Sequence, residues 1–392
     1  MSREKRLELI RQIEKKRGTK VITYITSDRD RASSQIAGDV VPILHDHILA
    51  IEPEQRGKLD LLIYSRGGDS DVPWSIVSMF REYSIEGSFS VLIPYKAHSA
   101  ATVIALGADE IVMTKKAELG PIDITIQSGP YNPTEKETSQ RLPISVEDVN
   151  GYFALLKKVG CERPEEIMKG FERLTEKVHP LALGTVSRLL QQTELVALRL
   201  LGTRAKPFSE EKNREIVKRL SSEIYSHRHT ISRSEAVQQL GLTQVINAED
   251  VQIDSELWEL YTEYKNMFNF DQPFRPEEYL IAKNLQEHTW EKINMACVES
   301  TSRIDVARKD IRVRRLRQVP PQININIGNL PAINIPNGLF QNDIEHFKQL
   351  IFSAIQSAIR EFVDNAIEQI LLSFPTAGFE VVDINGGWVT EA

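Results

Sequence analysis

The chain has 392 residues, of which 26% are charged, with a net charge of −7 and a pI near 5.8. The chain is longer than one typical domain. Its net negative charge does not favour binding to nucleic acid. Two cysteines, Cys161 and Cys297, are too few for a disulfide framework and favour a reducing compartment. Neither a run of membrane-spanning length nor an apolar signal core is found, so we expect a cytoplasmic protein without membrane contact.

The first part of the chain alternates helical patterns with short apolar runs. Helices are predicted up to Arg17 and, by apolar spacing of three and four residues, over 36–51 and 72–83. Strands are predicted at 21–25, 61–64, 90–93 and 110–113. This alternation predicts an α/β core.

Two of these apolar runs end in small residues suited to acyl transfer. Gly67-Gly68 allow a substrate carbonyl to approach backbone amides closely, and Ser99 lies at the predicted start of a helix, where developing negative charge is favoured. We therefore predict that Ser99 is a nucleophile and that the oxyanion hole is formed by Gly67, Gly68 and Ala100. The alternative is that Ser99 only caps that helix.

Two aspartates, Asp69 and Asp71, follow the glycines. With neither histidine nor cysteine at ligand spacing nearby, we interpret them as caps of the helix from residue 72 and expect no metal. The glycines also lack the G-x-G-x-x-G frame of a dinucleotide site, so no cofactor is expected.

Four motifs in the same order resemble the serine dehydrogenase proteinase family of the Clp and signal-peptide-peptidase superfamily. They are the S-R-G-G of residues 65–68, the A-H-S-A-A segment from residue 97, the L-G-P-I-D of 119–123 and the segment of 226–242 that ends in L-G-L. The resemblance implies a ClpP/crotonase-like spiral of β-β-α units and the hydrolysis of peptide bonds. A crotonase-fold hydrolase of another acyl substrate and a catalytically weak oligomeric scaffold remain as alternatives.

The resemblance also bears on the general base, because the ordinary Clp histidine and aspartate are missing from their positions. A histidine is expected where His227 stands, so we predict His227 as the base with Asp123 as its orienting carboxylate. A loop histidine that only holds its turn is the alternative. Lys157 or Lys158, as in a serine-lysine dyad, and His179 also stay open.

His98 adjoins Ser99, and adjacent side chains usually point apart, so we interpret it as a wall of the pocket.

Helical pattern dominates from 146 to 225, with a break near 202–207. In Clp-type relatives this region is a handle used in assembly. The resemblance therefore implies a homo-oligomer that takes a peptide or protein substrate.

The sequence changes character after about residue 250. We assign 1–250 to the protease core and 251–392 to a mostly helical assembly or regulatory region, through which a protein partner could bind. Its predicted parts are an amphipathic segment from Trp258, a helix over about 277–317 with a basic end, an Ile/Asn-alternating strand at 322–335, a helix over 343–374, and a strand at 379–384 with a turn at 385–388.

Overall fold

The computed structural model describes most of the chain, with gaps. The described residues are 3–85, 87–123, 125–126, 129–135, 140–224, 229–318, 348–349, 352–353, 355–357, 360 and 373–391. The chain forms two compact units. The first comprises Met1–Pro273, Asn294–Arg308 and Gly387–Ala392, and the second comprises Phe274–Ile293 and Lys309–Gly386.

The helices are α1 (Arg3–Arg17), α2 (Val40–Leu49), α3 (Val72–Tyr83), α4 (Ala100–Leu106), α5 (Val146–Lys158), α6 (Pro164–Thr175), α7 (Pro180–Gly202), α8 (Glu210–Lys218), α9 (Arg233–Gln238), α10 (Asp254–Met267) and α11 (Pro276–Ala282). A 3-10 turn covers Pro53–Gln55, and a π-helical turn covers Arg219–Glu223.

The strands are β1 (Lys20–Thr26), β2 (Asp28–Arg29), β3 (Ala32–Ser33), β4 (Lys58–Tyr64), β5 (Ser88–Ile93), β6 (Lys96–Ala97), β7 (Glu110–Met113), β8 (Glu118–Leu119), β9 (Thr125–Ile126), β10 (Ile144–Ser145), β11 (Ile231–Ser232), β12 (Val245–Asn247), β13 (Glu287–Glu299), β14 (Ile304–Arg317) and β15 (Thr376–Glu391).

The main sheet has the strand order β12-β7-β5-β4-β1-β13-β14-β15. Strands β12, β7, β5, β4 and β1 are parallel to their neighbours, and β13 joins β1 in antiparallel register, with Tyr24 opposite Val298. A small sheet places β8 between β6 and β11. Parallel strands present their carboxyl ends at one edge, and that edge positions the candidate site.

Both faces of the parallel strands are buried, which explains their nearly continuous apolar sequences. On β4, Leu59, Leu61 and Ile63 face one core cluster, whereas Leu62 and Tyr64 face the other. The first cluster contains side chains of α2, α3, α4 and α7, and the second contains side chains of α1 and α10. The helices on both faces thus exclude water from the sheet.

The second unit contains an aromatic cluster and cross-strand ion pairs. The ring centroids of Tyr279, His288 and Trp290 lie 4.6 to 5.4 Å apart, and Phe274 contacts Trp290 edge to face. Lys309 on β14 pairs with Asp383 on β15 at 3.0 Å. Part of the positive charge at the basic end of the segment 277–317 is therefore neutralised by acidic side chains of the neighbouring strand.

The predicted α/β fold is confirmed, and the strands predicted at 21–25, 61–64, 90–93 and 110–113 lie within β1, β4, β5 and β7. The helix predicted over 277–317 is wrong beyond Ala282, because 287–299 and 304–317 are strands. The turn predicted at 385–388 is also wrong, since β15 continues to Glu391. The strand predicted at 322–335 and most of the helix at 343–374 lie outside the described residues.

Candidate active site

Ser99 lies on a sharp turn between β6 and α4. Its backbone angles are φ 51° and ψ −118°, in a region that non-glycine residues rarely adopt. It occupies the N-cap position of α4, yet its side chain makes no capping hydrogen bond. The helix start is instead held by the backbone, since the amide of Ala101 donates to the His98 carbonyl at 2.9 Å. Capping by the Ser99 hydroxyl therefore does not account for the serine at this position.

The Gly67-Gly68 loop passes directly beside Ser99. A Cβ atom on Gly67 would lie 2.6 Å from Ser99 Cβ and 3.0 Å from Ser99 Oγ, and Gly67 has a φ of 104°. On Gly68 a Cβ atom would lie 2.1 Å from the Ile36 carbonyl oxygen. Both positions require glycine, because no side chain fits between the loop and its neighbours.

The backbone amides of this loop differ in availability. The amide of Gly67 donates to Ser65 Oγ at 3.0 Å. Among the described residues, the amides of Gly68 and Ala100 donate to no acceptor. Of the three groups predicted for the oxyanion hole, the amides of Gly68 and Ala100 thus have no acceptor within the described residues, whereas the amide of Gly67 is bonded to Ser65.

Ser65 connects the two halves of the site. Its amide donates to the Lys96 carbonyl at 3.0 Å, and its own carbonyl accepts from the amide of His98 at 3.0 Å. Its hydroxyl is buried and also accepts from Thr26 Oγ1 at 2.9 Å. The sequence motif contains Ser65, but this role was missed because Thr26 lies 39 residues away and nothing local points to it.

Ile36 fixes the other side of the glycine loop. Its amide donates to the Gly67 carbonyl at 2.8 Å, and its carbonyl accepts from the amide of Asp69 at 2.9 Å. Gly68 forms a parallel bridge with Ile36 through these two bonds. The loop is thus held on both sides before any substrate binds.

The candidate base His227 lies outside the described residues, as does the whole of 225–228. Asp123 is described and is 2% exposed, so it lies in the core at the end of the L-G-P-I-D segment. The amide of Ile122 donates to the Leu220 carbonyl at 3.0 Å, which ties this segment to the π-helical turn before residue 225. The pairing of Asp123 with His227 remains a prediction.

The other candidate bases have ordinary structural surroundings. His179 Nδ1 accepts from the amide of Leu181 at the start of α7, and its ring stacks on Tyr131 with centroids 4.8 Å apart. Lys157 and Lys158 lie exposed in the last turn of α5. Catalytic lysines commonly lie in water-excluded pockets, and these two side chains are exposed to solvent.

His98 packs against Gly120 with its ring, and its Nε2 lies 3.1 Å from Glu118 Oε1. Burial raises the pKa of Glu118, although Lys96 and Lys116 oppose this shift. These contacts agree with His98 as a wall beside Ser99.

Asp71 occupies the N-cap position of α3, as predicted, but makes no capping bond. It adopts helical backbone angles there, and its carboxylate accepts a hydrogen bond from Gln192 on α7 instead.

Among the described residues, no helix has the length and apolar composition that a membrane span needs.

Residues 1–156 match the family model of the ClpP-like SDH-type serine proteinases, so the predicted resemblance is confirmed for that part of the chain. Two uncharacterized proteins of Methanocaldococcus jannaschii are 28% and 25% identical over 267 and 264 residues. Each match covers 66% of this chain, and the two cover 76% and 78% of the relatives.

The chain also aligns weakly with solved structures. A ClpP1 mutant from Listeria monocytogenes aligns with a TM-score of 0.32 and 13% identity, over 62% of this chain and 98% of that chain. An enoyl-CoA hydratase/isomerase from Pseudoalteromonas atlantica aligns with a TM-score of 0.20 and 12% identity, over 68% of this chain and 94% of that chain.

Proposed function

We propose that the chain is a serine peptidase that hydrolyses peptide bonds through an acyl-enzyme on Ser99. The observation that carries the proposal is a serine on a positive-φ turn whose hydroxyl caps no helix and lies beside a glycine loop. Near it are two backbone amides, of Gly68 and Ala100, that have no acceptor among the described residues. The family match over residues 1–156 supports the same class of reaction.

In this proposal Ser99 Oγ attacks the scissile carbonyl carbon while the base removes its proton. The carbonyl oxygen becomes an oxyanion and accepts hydrogen bonds from the amides of Gly68 and Ala100. The protonated base then gives its proton to the leaving amine as the C–N bond breaks. Water, deprotonated by the same base, hydrolyses the ester on Ser99 and restores the enzyme.

His227 is the proposed base and Asp123 its proposed orienting carboxylate. Support comes from the neighbourhood, because the segment with Asp123 is bonded to Leu220, which precedes the 225–228 segment closely in the chain. A buried carboxylate next to an imidazole fixes its tautomer and stabilises the charged form. Asp123 is buried as this role requires.

A fluorophosphonate probe tests the nucleophile. We expect wild type to be labelled on Ser99, Ser99→Ala to be unlabelled, and peptide hydrolysis to fall about a thousandfold or more in that variant. Ser75→Ala, on the exposed side of α3, is the matched control and should keep both the labelling of Ser99 and the hydrolysis of peptides. Undiminished hydrolysis by a folded Ser99→Ala variant would reject the mechanism, and labelling without peptidase activity would favour another acyl substrate.

The pH dependence of labelling identifies the base. With His227, the rate should rise with pH through an apparent pKa of roughly 6 to 7, because neutral imidazole accepts the proton. His227→Gln should abolish this rise of the rate with pH, while Lys157→Met and Lys158→Met should leave it unchanged. If the rate of His227→Gln still rises through the same pKa, another residue is the base.

We also propose that the protein assembles as a homo-oligomer. Apolar side chains on α5 and α6 are exposed, among them Leu155 and Met168, each 56% exposed. Contiguous exposed apolar side chains commonly mark association surfaces. Light scattering of the purified chain gives the mass directly, and a monomer at all concentrations would reject the assembly.

A further inference from the structure

A cleft of about 580 Å³ opens at the carboxyl edge of the parallel strands, in the first unit. Tyr64 is the last residue of β4, Tyr95 follows β5 by two residues, and Lys116 follows β7 by three. Ligands of open α/β sheets bind outside the carboxyl ends of the strands. We call this space the aromatic cleft; its rings are those of Tyr64, Tyr95, Trp258, Tyr261 and Phe270.

The rings of the aromatic cleft form one continuous wall. The ring centroid of Tyr64 lies 5.0 Å from that of Tyr261 and 5.4 Å from that of Phe270. Tyr95 meets Tyr261 edge to face at 5.7 Å, and Trp258 lies 5.2 Å from Tyr261 with 40% of its surface exposed. Such walls favour a further aromatic ring in offset or edge-to-face contact.

The cleft also has an excess of positive charge. Lys96 pairs with Asp28 at 2.7 Å, and Lys265 pairs with Asp271 at 2.8 Å. Lys116 forms no ion pair with any residue in the described part of the chain, and its Nζ lies 5.5 Å from the Tyr95 ring centroid. Lys96 and Lys116 also act on the pKa of Glu118, which offsets part of this charge. A carboxylate bound beside Tyr95 would still be the first within ion-pair distance of Lys116 among the described residues.

Asp28 connects this cleft to the Ser99 site. Its Oδ1 accepts from Arg66 Nε at 2.8 Å, and its Oδ2 accepts from the Tyr64 hydroxyl at 2.8 Å. Arg66 belongs to the glycine loop, and Lys96 lies three residues before Ser99. Arg66 of the glycine loop and Tyr64 of the aromatic cleft thus bond to the same carboxylate, which places the cleft next to the glycine loop at the carboxyl edge of the strands.

We propose that the aromatic cleft is a substrate subsite that takes an aromatic side chain of the peptide, next to an acidic residue whose carboxylate pairs with Lys116. The aromatic ring of the peptide packs against Tyr95, Tyr261 and Trp258. The carboxylate of the peptide forms an ion pair with Lys116. This inference rests on the proposed peptidase function.

The test measures binding to the inactive Ser99→Ala protein, so it does not depend on hydrolysis. Three blocked tetrapeptides are titrated by calorimetry: acetyl-Ala-Phe-Glu-Ala amide, the same peptide with Gln for Glu, and the same peptide with Leu for Phe. We expect the first to bind about fivefold more tightly than the glutamine peptide, as for an exposed ion pair. We expect a similar advantage over the leucine peptide from ring contacts.

Two neighbouring lysines provide the matched pair of variants. Lys116→Met should remove the preference for glutamate, whereas Lys115→Met should keep it, because Lys115 pairs with Glu249 at 3.5 Å and does not line the cleft. Tyr95→Leu should reduce the preference for phenylalanine.

A glutamate preference that survives Lys116→Met would overturn the assignment, as would the absence of binding. The proposed function is tested by a different experiment, the labelling of Ser99 in the wild type by the fluorophosphonate probe. If the peptide binds but Ser99 is not labelled, Ser99 is not the nucleophile, and the aromatic cleft is still a peptide-binding site.

Discussion

The backbone at Gly68 lies so close to Ile36 that a single methyl group has no room. A Cβ atom would lie 2.1 Å from the Ile36 carbonyl oxygen and 2.5 Å from its amide nitrogen. Any side chain at position 68 must therefore move the loop whose Gly68 amide we assign to the oxyanion.

We predict that Gly68→Ala lowers the rate of fluorophosphonate labelling roughly a hundredfold, as for the loss of one oxyanion donor. The free energy of unfolding should fall by more than about 1 kcal/mol, because alanine does not fit the native backbone here. Gly38→Ala is the control, since a Cβ there meets nothing within 4 Å. Labelling of Gly68→Ala at the wild-type rate would place the oxyanion hole elsewhere.

At the residue scale, the sequence predicted those groups whose chemistry is local. A serine between small residues and a glycine pair after a strand can be recognised without knowing the fold. The support from Thr26, Ile36 and Ser65 could not be predicted, because these contacts join segments about thirty to forty residues apart. Sequence spacing alone does not show which strands lie side by side.

The contact between α2 and the segment that begins β14 contains a buried histidine. His47 Nε2 lies 3.0 Å from Asp305 Oδ2, and its Nδ1 lies 2.9 Å from Ser300 Oγ. Burial lowers the pKa of His47 to about 4, although Asp305 opposes this shift, and Arg303 and Asp46 also lie close enough to act on it. His47 is thus neutral at pH 7, as a donor to the carboxylate and an acceptor from the serine hydroxyl.

We predict that this histidine makes the protein less stable as the pH falls from about 6.5 to about 4. In that range the unfolded chain binds a proton at His47 and the folded chain does not, so about 3 kcal/mol of the free energy of unfolding is lost by pH 4. Urea unfolding at several pH values measures the slope.

His47→Gln should have a shallower slope than wild type over this range, at a lower stability near pH 7. Leu49→Ala, at an exposed position of the same helix and without a titratable group, is the control and should keep the slope. Equal slopes in wild type and His47→Gln would show that His47 does not titrate as inferred.

At the element scale, short apolar runs predict the parallel strands, whereas the segment from 287 to 317 contains two strands where the sequence predicts a helix. Its many arginine, lysine and glutamate residues have good helix propensity, which favoured a helix. The period-two signal is short: Ile304 and Val306 are buried, and so are Ile311 and Val313, but the spacing shifts between the two pairs. Pairing with the sheet outweighs local propensity there.

At the scale of the whole molecule, residues after 250 complete the core of the first unit. Leu257 and Leu260 of α10 are fully buried against the sheet, and β13 pairs with β1 from Thr23 to Thr26. The Tyr264 hydroxyl lies 2.7 Å from both Thr23 Oγ1 and Glu299 Oε2, and Arg6 pairs with the same glutamate at 2.6 Å. The division at residue 250 remains a prediction about function, and these contacts bear on folding.

We predict that a chain ending at residue 250 does not fold, because it exposes the sheet face covered by α10 and leaves Arg6 without Glu299. Each fully buried leucine lost with α10 removes about 1.5 to 3 kcal/mol of burial free energy. In the full chain, Leu260→Ala should cost about 2 to 5 kcal/mol, whereas Glu259→Ala, beside it on the exposed side, should cost less than about 1. Urea unfolding and circular dichroism measure these differences, and a soluble 1–250 chain with a cooperative transition would show that residue 250 is a folding boundary as well.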